Sequence, residues 1–178
     1  MTSEMAGFTP AYLYDYLVKS RSKLFDWVRP LSLEQYTKEF AFGKKSLRAT
    51  LAHIAASEWS YIRRIREESI ALKAIEDHPF WKYNDTAFAS LETAWKELSE
   101  DTRRTLRRVT DWAKPVEYAT TNDPKVRIRT ITGGIAGQLL FHEIHHRAQA
   151  MAMLRQFGVA AENIDYSVLN VERIKLPT

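Results

Sequence analysis

Apolar residues recur at three- and four-residue steps over four long segments, a spacing that places them on one face of an α-helix. The first helix is predicted to begin at Thr9-Pro10, an N-cap residue followed by proline at the first helical position, and to end at Pro30. The other three are predicted from about Ser46 to Glu68, from about Asp85 to Trp112, and from about Thr132 to just before Gly158. Four amphipathic helices of this length predict an all-α four-helix bundle.

The pattern changes between the third and fourth predicted helices. There "VEYATT" and "KVRIRTIT" alternate polar and apolar residues around "NDP", which is typical of strands joined by a turn. A short β-hairpin or extended connection is therefore predicted at about residues 116–131. The tail after Gly158 is weakly patterned, and one short turn is predicted around Val168 to Ile174. With no repeat or linker in the sequence, we expect one domain over residues 1–178.

Composition limits the class of protein. The 178 residues are 45% hydrophobic and 27% charged, as in soluble globular proteins. No apolar window is long enough to span a membrane, and "MTSEMAGFTP" lacks the regions of a signal peptide, so we expect a cytoplasmic protein without a membrane partner. The absence of cysteine excludes disulfides, thiolate metal sites and cysteine nucleophiles.

Net charge is +4, and the basic runs "RRIRE" and "RRTLRR" lie close to acidic residues. Solvated helix faces explain such runs, and the sequence contains no nucleic-acid-reading motif. We therefore expect no nucleic-acid partner.

Three of the five histidines fall within "HEIHHRAQ", residues 142–149. His142 and His146 are four residues apart and project from one face of the fourth helix. That face also carries apolar residues, so we expect the pair to point into the bundle. Buried imidazoles need polar partners, and a divalent metal would satisfy one nitrogen of each ring. The alternative is two core histidines bonded to other side chains.

A third ligand has to be a histidine or a carboxylate, because the chain has no cysteine. His53 lies mid-helix, about 120° round from the main apolar stripe of the second helix. The residues on that side are small and leave room for an ion, a water and a substrate: Ala49, Ala56, Ser57 and Ser60. Periodicity alone supports a ligand and an ordinary flank histidine equally.

Three further polar residues lie outside this expected ligand set. His145 points about 100° away from His146 and is predicted to lie at the surface. His78 precedes a proline in a predicted loop, and no role is assigned to it. Glu58 falls on the apolar stripe of the second helix, where it could orient a ligand or act as a general base. A structural pairing with a buried arginine or tyrosine is the favoured interpretation.

The fourth helix carries a second apolar patch, roughly opposite the histidines. Its members are Leu140, Ile144, Ala148 and Met151. A helix that is apolar on two sides is usually covered on two sides, so a homodimer is predicted. The tail or the hairpin could provide the cover instead.

A histidine in "LAHIAASEWSYI", followed much later by "HEIHHRAQ", resembles the DinB/YfiT-like family of predicted metalloenzymes. Family members carry an H-x-x-H-H-R-G-Q-like run in the last bundle helix, and Ala148 stands here where glycine is usual. The resemblance implies a four-helix bundle that holds one divalent ion through His53, His142 and His146. The expected ion is zinc or nickel, with iron or manganese as alternatives, although imidazole ligands suit zinc, nickel, iron and copper alike.

The resemblance also implies a function. Characterised relatives include thiol-dependent S-transferases and a mycothiol-dependent maleylpyruvate isomerase. A metal-dependent enzyme is therefore expected, a thiol-dependent S-transferase or a hydrolase acting on a low-molecular-weight thiol or another small molecule. Three histidines leave a coordination position open, as in catalytic sites. No catalytic side chain is assigned. The alternative is a non-enzymatic metal-binding stress-response protein.

Overall fold

The computed structural model describes residues 8–70, 77–84, 86–120, 125–172 and 174. Its helices are α1 (Pro10–Val28), α2 (Leu33–Thr37), α3 (Leu47–Ile65), α4 (Phe88–Arg108), α5 (Thr132–Gln156) and α6 (Tyr166–Leu169). A 3₁₀ turn over Trp81–Asn84 precedes α4, and an antiparallel hairpin of β1 (Pro115–Ala119) and β2 (Arg127–Ile131) separates α4 from α5. The predicted mostly helical fold with a hairpin before the last long helix is confirmed.

The helix boundaries follow local chemistry. The side chain of Thr9 accepts a hydrogen bond from the Tyr12 amide and caps α1, with Pro10 at the first helical position. Ser46 caps α3 in the same way through the amide of Ala49. The short α2 was not predicted, because five residues are too few to show a helical period.

Two helices are shorter than the apolar pattern predicts. Helix α3 ends at Ile65, and Glu67 two residues later has a positive φ of 59°, which a right-handed helix cannot continue through. Helix α4 begins at Phe88 and ends at Arg108. The predicted start at Asp85 lies outside the described residues, as do residues 121–124 at the predicted hairpin turn.

The four long helices pack as a bundle in which α1 and α3 each contact both α4 and α5. The order around the bundle is therefore α1, α4, α3, α5. Fully buried side chains from all four helices meet at its centre, for example Leu17, Leu51, Trp95 and Leu139. Burial of each such side chain contributes about 1.5–3 kcal/mol to folding. None of the described helices is long and apolar enough to cross a membrane.

The bundle core also contains a buried ionic network. Arg21 of α1 donates hydrogen bonds to Glu58 of α3 (2.8 Å) and Glu143 of α5 (3.1 Å from its Nε). Glu58 also accepts from the indole of Trp95 (2.8 Å) and from the hydroxyl of Tyr14. The structural interpretation of Glu58, a pairing with a buried arginine and tyrosine, agrees with these contacts. Its carboxylate faces the core.

This network changes the orientation of α5. Its buried residues include Glu143 and Arg147, whereas His142 and His146 lie half-buried at the edge of the bundle. The predicted inward face is buried at Ile135, Leu139, Ala150 and Met153, but the two histidines lie at its edge and not at its centre. A hydrophobicity pattern treats Glu143 and Arg147 as surface residues, yet their charges are paired inside. Helix α5 is therefore rotated about its own axis relative to the predicted orientation, so that Glu143 and Arg147 enter the core.

The second apolar patch of α5 is partly covered within the chain. Leu140 belongs to the core and Met151 packs against it, while Ile144 and Ala148 are exposed. Only half of the patch that predicts a homodimer thus remains open to a partner, and the homodimer stays a prediction.

Candidate metal centre

The packing of α3 against α5 brings three histidines together. His53 lies on α3, and His142 and His146 lie one turn apart on α5. The Nε2 atoms of His53 and His142 are 3.1 Å apart, and the three ring centroids are separated by 4.5 to 4.9 Å. One nitrogen from each ring lies within 4.8 Å of the others, so the group could hold a metal ion. We call these residues the histidine triad.

The spacing suits a divalent ion. Two nitrogens at about 2.0–2.1 Å from a tetrahedral zinc lie about 3.3 Å from each other, and octahedral geometry shortens this to about 3.0 Å. The 3.1 Å between His53 and His142 fits either geometry. The distances therefore accept an ion without selecting which metal binds.

The protonation state also suits a metal. Burial, followed by the nearby Lys44 ammonium, lowers the pKa of His53 to about 3. Burial, followed by the neighbouring His146, lowers the pKa of His142 to about 4. The pKa of His146 is lowered as well, first by burial. All three rings are neutral at pH 7, the form in which imidazole binds metals.

Gln149, one turn beyond His146, orients the third ring. Its Oε1 lies 2.8 Å from His146 Nδ1, and an amide oxygen only accepts, so Nδ1 carries the hydrogen and Nε2 is left free for an ion. The Gln149 amide nitrogen lies 3.0 Å from Nε2 of His145, which is exposed as predicted. Sequence reasoning missed Gln149, although it is the last letter of the histidine octet.

The backbone of Gly43 lies close to the side chain of Gln149. Gly43 has a positive φ of 61°, and a Cβ at this position would lie 3.0 Å from the Oε1 of Gln149. A side chain here would therefore cost backbone strain and would press on the amide that orients His146.

The sequence model of the DinB family matches residues 2–173. The chain belongs to the DinB family. It is also similar to Protein DinB of Bacillus subtilis (strain 168), with 23% identity over 157 residues that cover 88% of this chain and 90% of that protein. Membership of the DinB family, together with the three-histidine group, is compatible with a metal-binding helical protein.

A cleft of about 800 Å³ opens beside the triad of this DinB-family chain. Helices α3 and α5 form two walls, and the hairpin and the segment around the 3₁₀ turn form the others. His53 and His142 lie at one end of the cleft, with Lys44 beside them. Among the described residues that line it, none is acidic. The cleft is large enough for a small-molecule substrate.

His78, to which no role was assigned, is buried and also lines the cleft. Its Nδ1 accepts a hydrogen bond from the Phe80 amide (3.1 Å), and burial lowers its pKa, so the neutral ring carries its hydrogen on Nε2. That hydrogen faces the Ser60 hydroxyl (3.2 Å), which itself donates to the Ala56 carbonyl (3.1 Å). His78 is thus a donor to Ser60, and the pair is not arranged as a base and a nucleophile.

Proposed function

We propose that this DinB-family protein is a metal-dependent enzyme that holds one divalent ion through His53, His142 and His146. Its substrate would be a small molecule in the adjoining cleft, and its reaction a thiol transfer or a hydrolysis. The observation that carries the proposal is the convergence of three neutral imidazoles, two of which, His53 and His142, line one end of an 800 Å³ cleft. A purely structural ion would not need such a cleft beside it.

An open coordination position is the second argument. Glu143 follows His142 directly in the sequence, but its carboxylate faces the core and pairs with Arg21. Glu58, on the helix of His53, is committed to the same arginine. Neither carboxylate is available to close the site, and the ligand group found among the described residues consists of the three histidines, the number of protein ligands in catalytic zinc sites. When bound there, a divalent ion would lower the pKa of a water or a thiol in the open position.

Different residues would bind the metal, orient its ligands and stabilise the reacting group. The triad would hold the ion, and Gln149 would keep the His146 tautomer that presents Nε2. Lys44, beside the triad, would favour an anionic form of the reacting group. Zinc or nickel is our first choice of metal, with iron or manganese as alternatives.

The test begins with elemental analysis of protein purified without a nickel column. We expect about one divalent ion per chain, and calorimetry on chelated and re-metallated protein should give one site. Turnover is then assayed with low-molecular-weight thiols paired with electrophiles, and with small esters and amides. Failure of zinc, nickel, manganese and iron to bind would overturn the proposal.

A non-enzymatic metal-binding protein is the second candidate. Its support is that the triad joins two helices, so an ion would cross-link α3 and α5 and stabilise the bundle. A metal-dependent rise in thermal stability without turnover of any thiol or ester substrate would favour this candidate. Metal-dependent turnover would favour the enzyme.

We also propose a homodimer through the outer face of α5. Phe141 is 71% exposed and Ile144 is 39% exposed, and Ala148 continues this apolar strip. Exposed apolar residues grouped on one helix face are typical of protein interfaces. Light scattering at tens of micromolar protein should give twice the chain mass, and a monomer mass would contradict the proposal.

A further inference from the structure

The cleft has two distinct ends along α3. His53 lies at one end and Arg64, eleven positions later, lines the other. Eleven residues are about three helical turns, so both side chains leave the same face, with their Cα atoms roughly 16 Å apart along the helix axis. Between them the wall consists of Ala56, Ser57, Ser60 and Tyr61. Three of these four side chains are small, which gives the cleft an elongated shape.

Arg64 is held in place by aromatic rings. Its guanidinium lies 4.1 Å from the ring centroid of Tyr118 on β1 and 5.8 Å from that of Tyr61. Tyr61 in turn lies between this end and the triad, since its ring is 5.7 Å from that of His142. Stacking on an aromatic face leaves the N–H groups at the edge of a guanidinium free to donate.

The charge of Arg64 is not neutralised by the rest of the described chain. Two other arginines at the end of α3 have carboxylate partners: Arg63 lies 3.5 Å from Glu68, and Arg66 lies 3.0 Å from Asp101. Within the part of the chain that the structure describes, no carboxylate pairs with Arg64, and none lines the cleft. A half-buried guanidinium that faces a cavity without an acid is suited to an anionic ligand.

We propose that Arg64 is the binding site for a carboxylate at the far end of an elongated substrate whose reacting group lies at the triad. The inference rests on the proposed function, because the triad supplies the other end. A planar carboxylate can accept two parallel hydrogen bonds from a guanidinium, which fixes the direction of the substrate in the cleft. Arg64 is a specificity-determining residue in this assignment, since it lies far from the reacting atoms.

The assignment makes a prediction about length. A compact acid such as mercaptoacetate is too short to reach from the triad to Arg64, whose Cα atom is roughly 16 Å from that of His53 along the helix. A longer chain that places several bonds between its sulfur and its carboxylate can reach both. Carboxylate recognition should therefore appear only above a certain chain length.

The probes are mercaptoacetate, mercaptohexanoate and mercaptoundecanoate, each matched by the mercaptoalcohol of the same length. They are titrated into the full chain loaded with cobalt, and calorimetry gives Kd while visible absorption reports sulfur bound to the metal. At least one longer acid should bind about tenfold more tightly than its alcohol, as expected for a charge-assisted hydrogen bond. The shortest acid can place its carboxylate only on the metal or near Lys44, so any preference shown by that pair should be the same in the wild type and in Arg64→Met.

Arg64→Met should remove the preference, so that acid and alcohol then bind within about twofold of each other. Arg129→Met is the matched control. Arg129 lies on β2 next to the cleft-lining Ile128 and Thr130, but its side chain is exposed and pairs with Glu117 (2.7 Å) on the other face of the hairpin. This variant removes the same charge nearby and should keep the preference. Far-ultraviolet circular dichroism and unfolding curves of both variants check the fold.

The outcomes separate the two proposals. Equal Kd values for acid and alcohol at both longer lengths, or a preference of the longer acids that survives Arg64→Met, would overturn the carboxylate site while leaving metal–thiol binding intact. A bound cobalt ion whose absorption no thiol alters would instead count against the thiol chemistry of the proposed function. Calorimetric comparison of acids with alcohols would still decide the role of Arg64.

Discussion

Two polar clusters share the same two turns of α5, and they differ in whether their polar atoms have hydrogen-bond partners within the protein. Glu143 and Arg147 face the core, where Arg21, Ser20 and neighbouring hydroxyls bind them. His142 and His146 lie half-buried at the edge of the bundle, and His142 lines the cleft. The Nε2 atoms of His142 and His53 are 3.1 Å apart, and neither has another hydrogen-bond partner in the described part of the chain. We call Glu143, Arg147 and their partners the closed cluster, because their polar atoms are paired within the protein. We call His53, His142 and His146 the open cluster, because each has a ring nitrogen available to a ligand.

The difference shows how a bundle can separate stability from binding. Buried charges stabilise only when all partners are present, and removal of one leaves an uncompensated charge. The half-buried imidazoles are neutral at pH 7 and are exposed to the cleft, so their removal leaves no buried charge. We therefore expect substitutions in the closed cluster to affect folding and those in the open cluster to affect metal affinity.

The largest expected effect is from Arg21→Met. Loss of this guanidinium leaves the buried carboxylates of Glu58 and Glu143 without their cation, and should lower the free energy of unfolding by about 3–5 kcal/mol. Urea denaturation measures it. Arg29→Met is the control at the C-cap of the same helix: Arg29 is half-exposed and pairs with Glu92, and its loss should cost about 1 kcal/mol or less. Equal losses for the two variants would contradict the closed-cluster interpretation.

The next effect concerns the open cluster. His146→Ala and His53→Ala should each weaken zinc or nickel binding more than about 100-fold, because two histidines hold an ion poorly, while stability without metal changes little. The adjacent His145→Ala is the matched control and should cost less than about tenfold. Calorimetry measures affinity, and circular dichroism checks helicity. If His145→Ala proved the most damaging of the three, the ligand assignment would be wrong.

A smaller effect is expected from Gln149→Leu. This change removes the acceptor for His146 Nδ1–H, so the ring is free to rotate or to change tautomer, and metal affinity should fall about 10–100-fold. Gln149→Glu keeps an oxygen acceptor and should restore most of the affinity. Similar affinities for the leucine variant and the wild type would show that Gln149 does not orient the ligand.

The smallest effect is a pH dependence of the metal-free protein. The pKa values of His53, about 3, and His142, about 4, lie below the unfolded value of about 6.5. Below pH 6.5 the unfolded chain therefore binds protons that the folded chain does not, and stability falls as the pH drops from about 6.5 towards 4.

The loss should be on the order of 1 kcal/mol, because solvent partly screens the half-buried rings. Urea denaturation at several pH values measures it. A His53→Gln, His142→Gln double variant should show a flatter pH profile than the wild type. An identical profile would mean that the imidazoles titrate normally in the folded state.

The sequence was most informative where residues act through local periodicity. The four long helices, the cap at Thr9, and the shared face of His142 and His146 all depend on local spacing along one segment. The meeting of His53 with the other two depends on the packing of α3 against α5, which spacing within a segment does not encode. For this reason periodicity left His53 undecided, and only the family resemblance supplied it.

The rotation of α5 could not be predicted for a different reason. Hydropathy assigns charged residues to the surface, but Glu143 and Arg147 find partners on α1, far away in the sequence. The cleft could not be predicted for the same reason, because its walls come from α3, α5 and the hairpin, which are distant in the sequence. The aromatic setting of Arg64 also joins residues that are distant in sequence.

The interleaving of residues along α5 has a practical consequence for redesign. Positions 142 and 146 belong to the histidine triad, whereas the neighbouring positions 143 and 147 fix the rotation of the helix through the core. A designer could therefore exchange the imidazoles for carboxylates, to favour harder cations, without disturbing the contacts that set the helix. The ligand set and the scaffold can be optimised as independent modules of one helix.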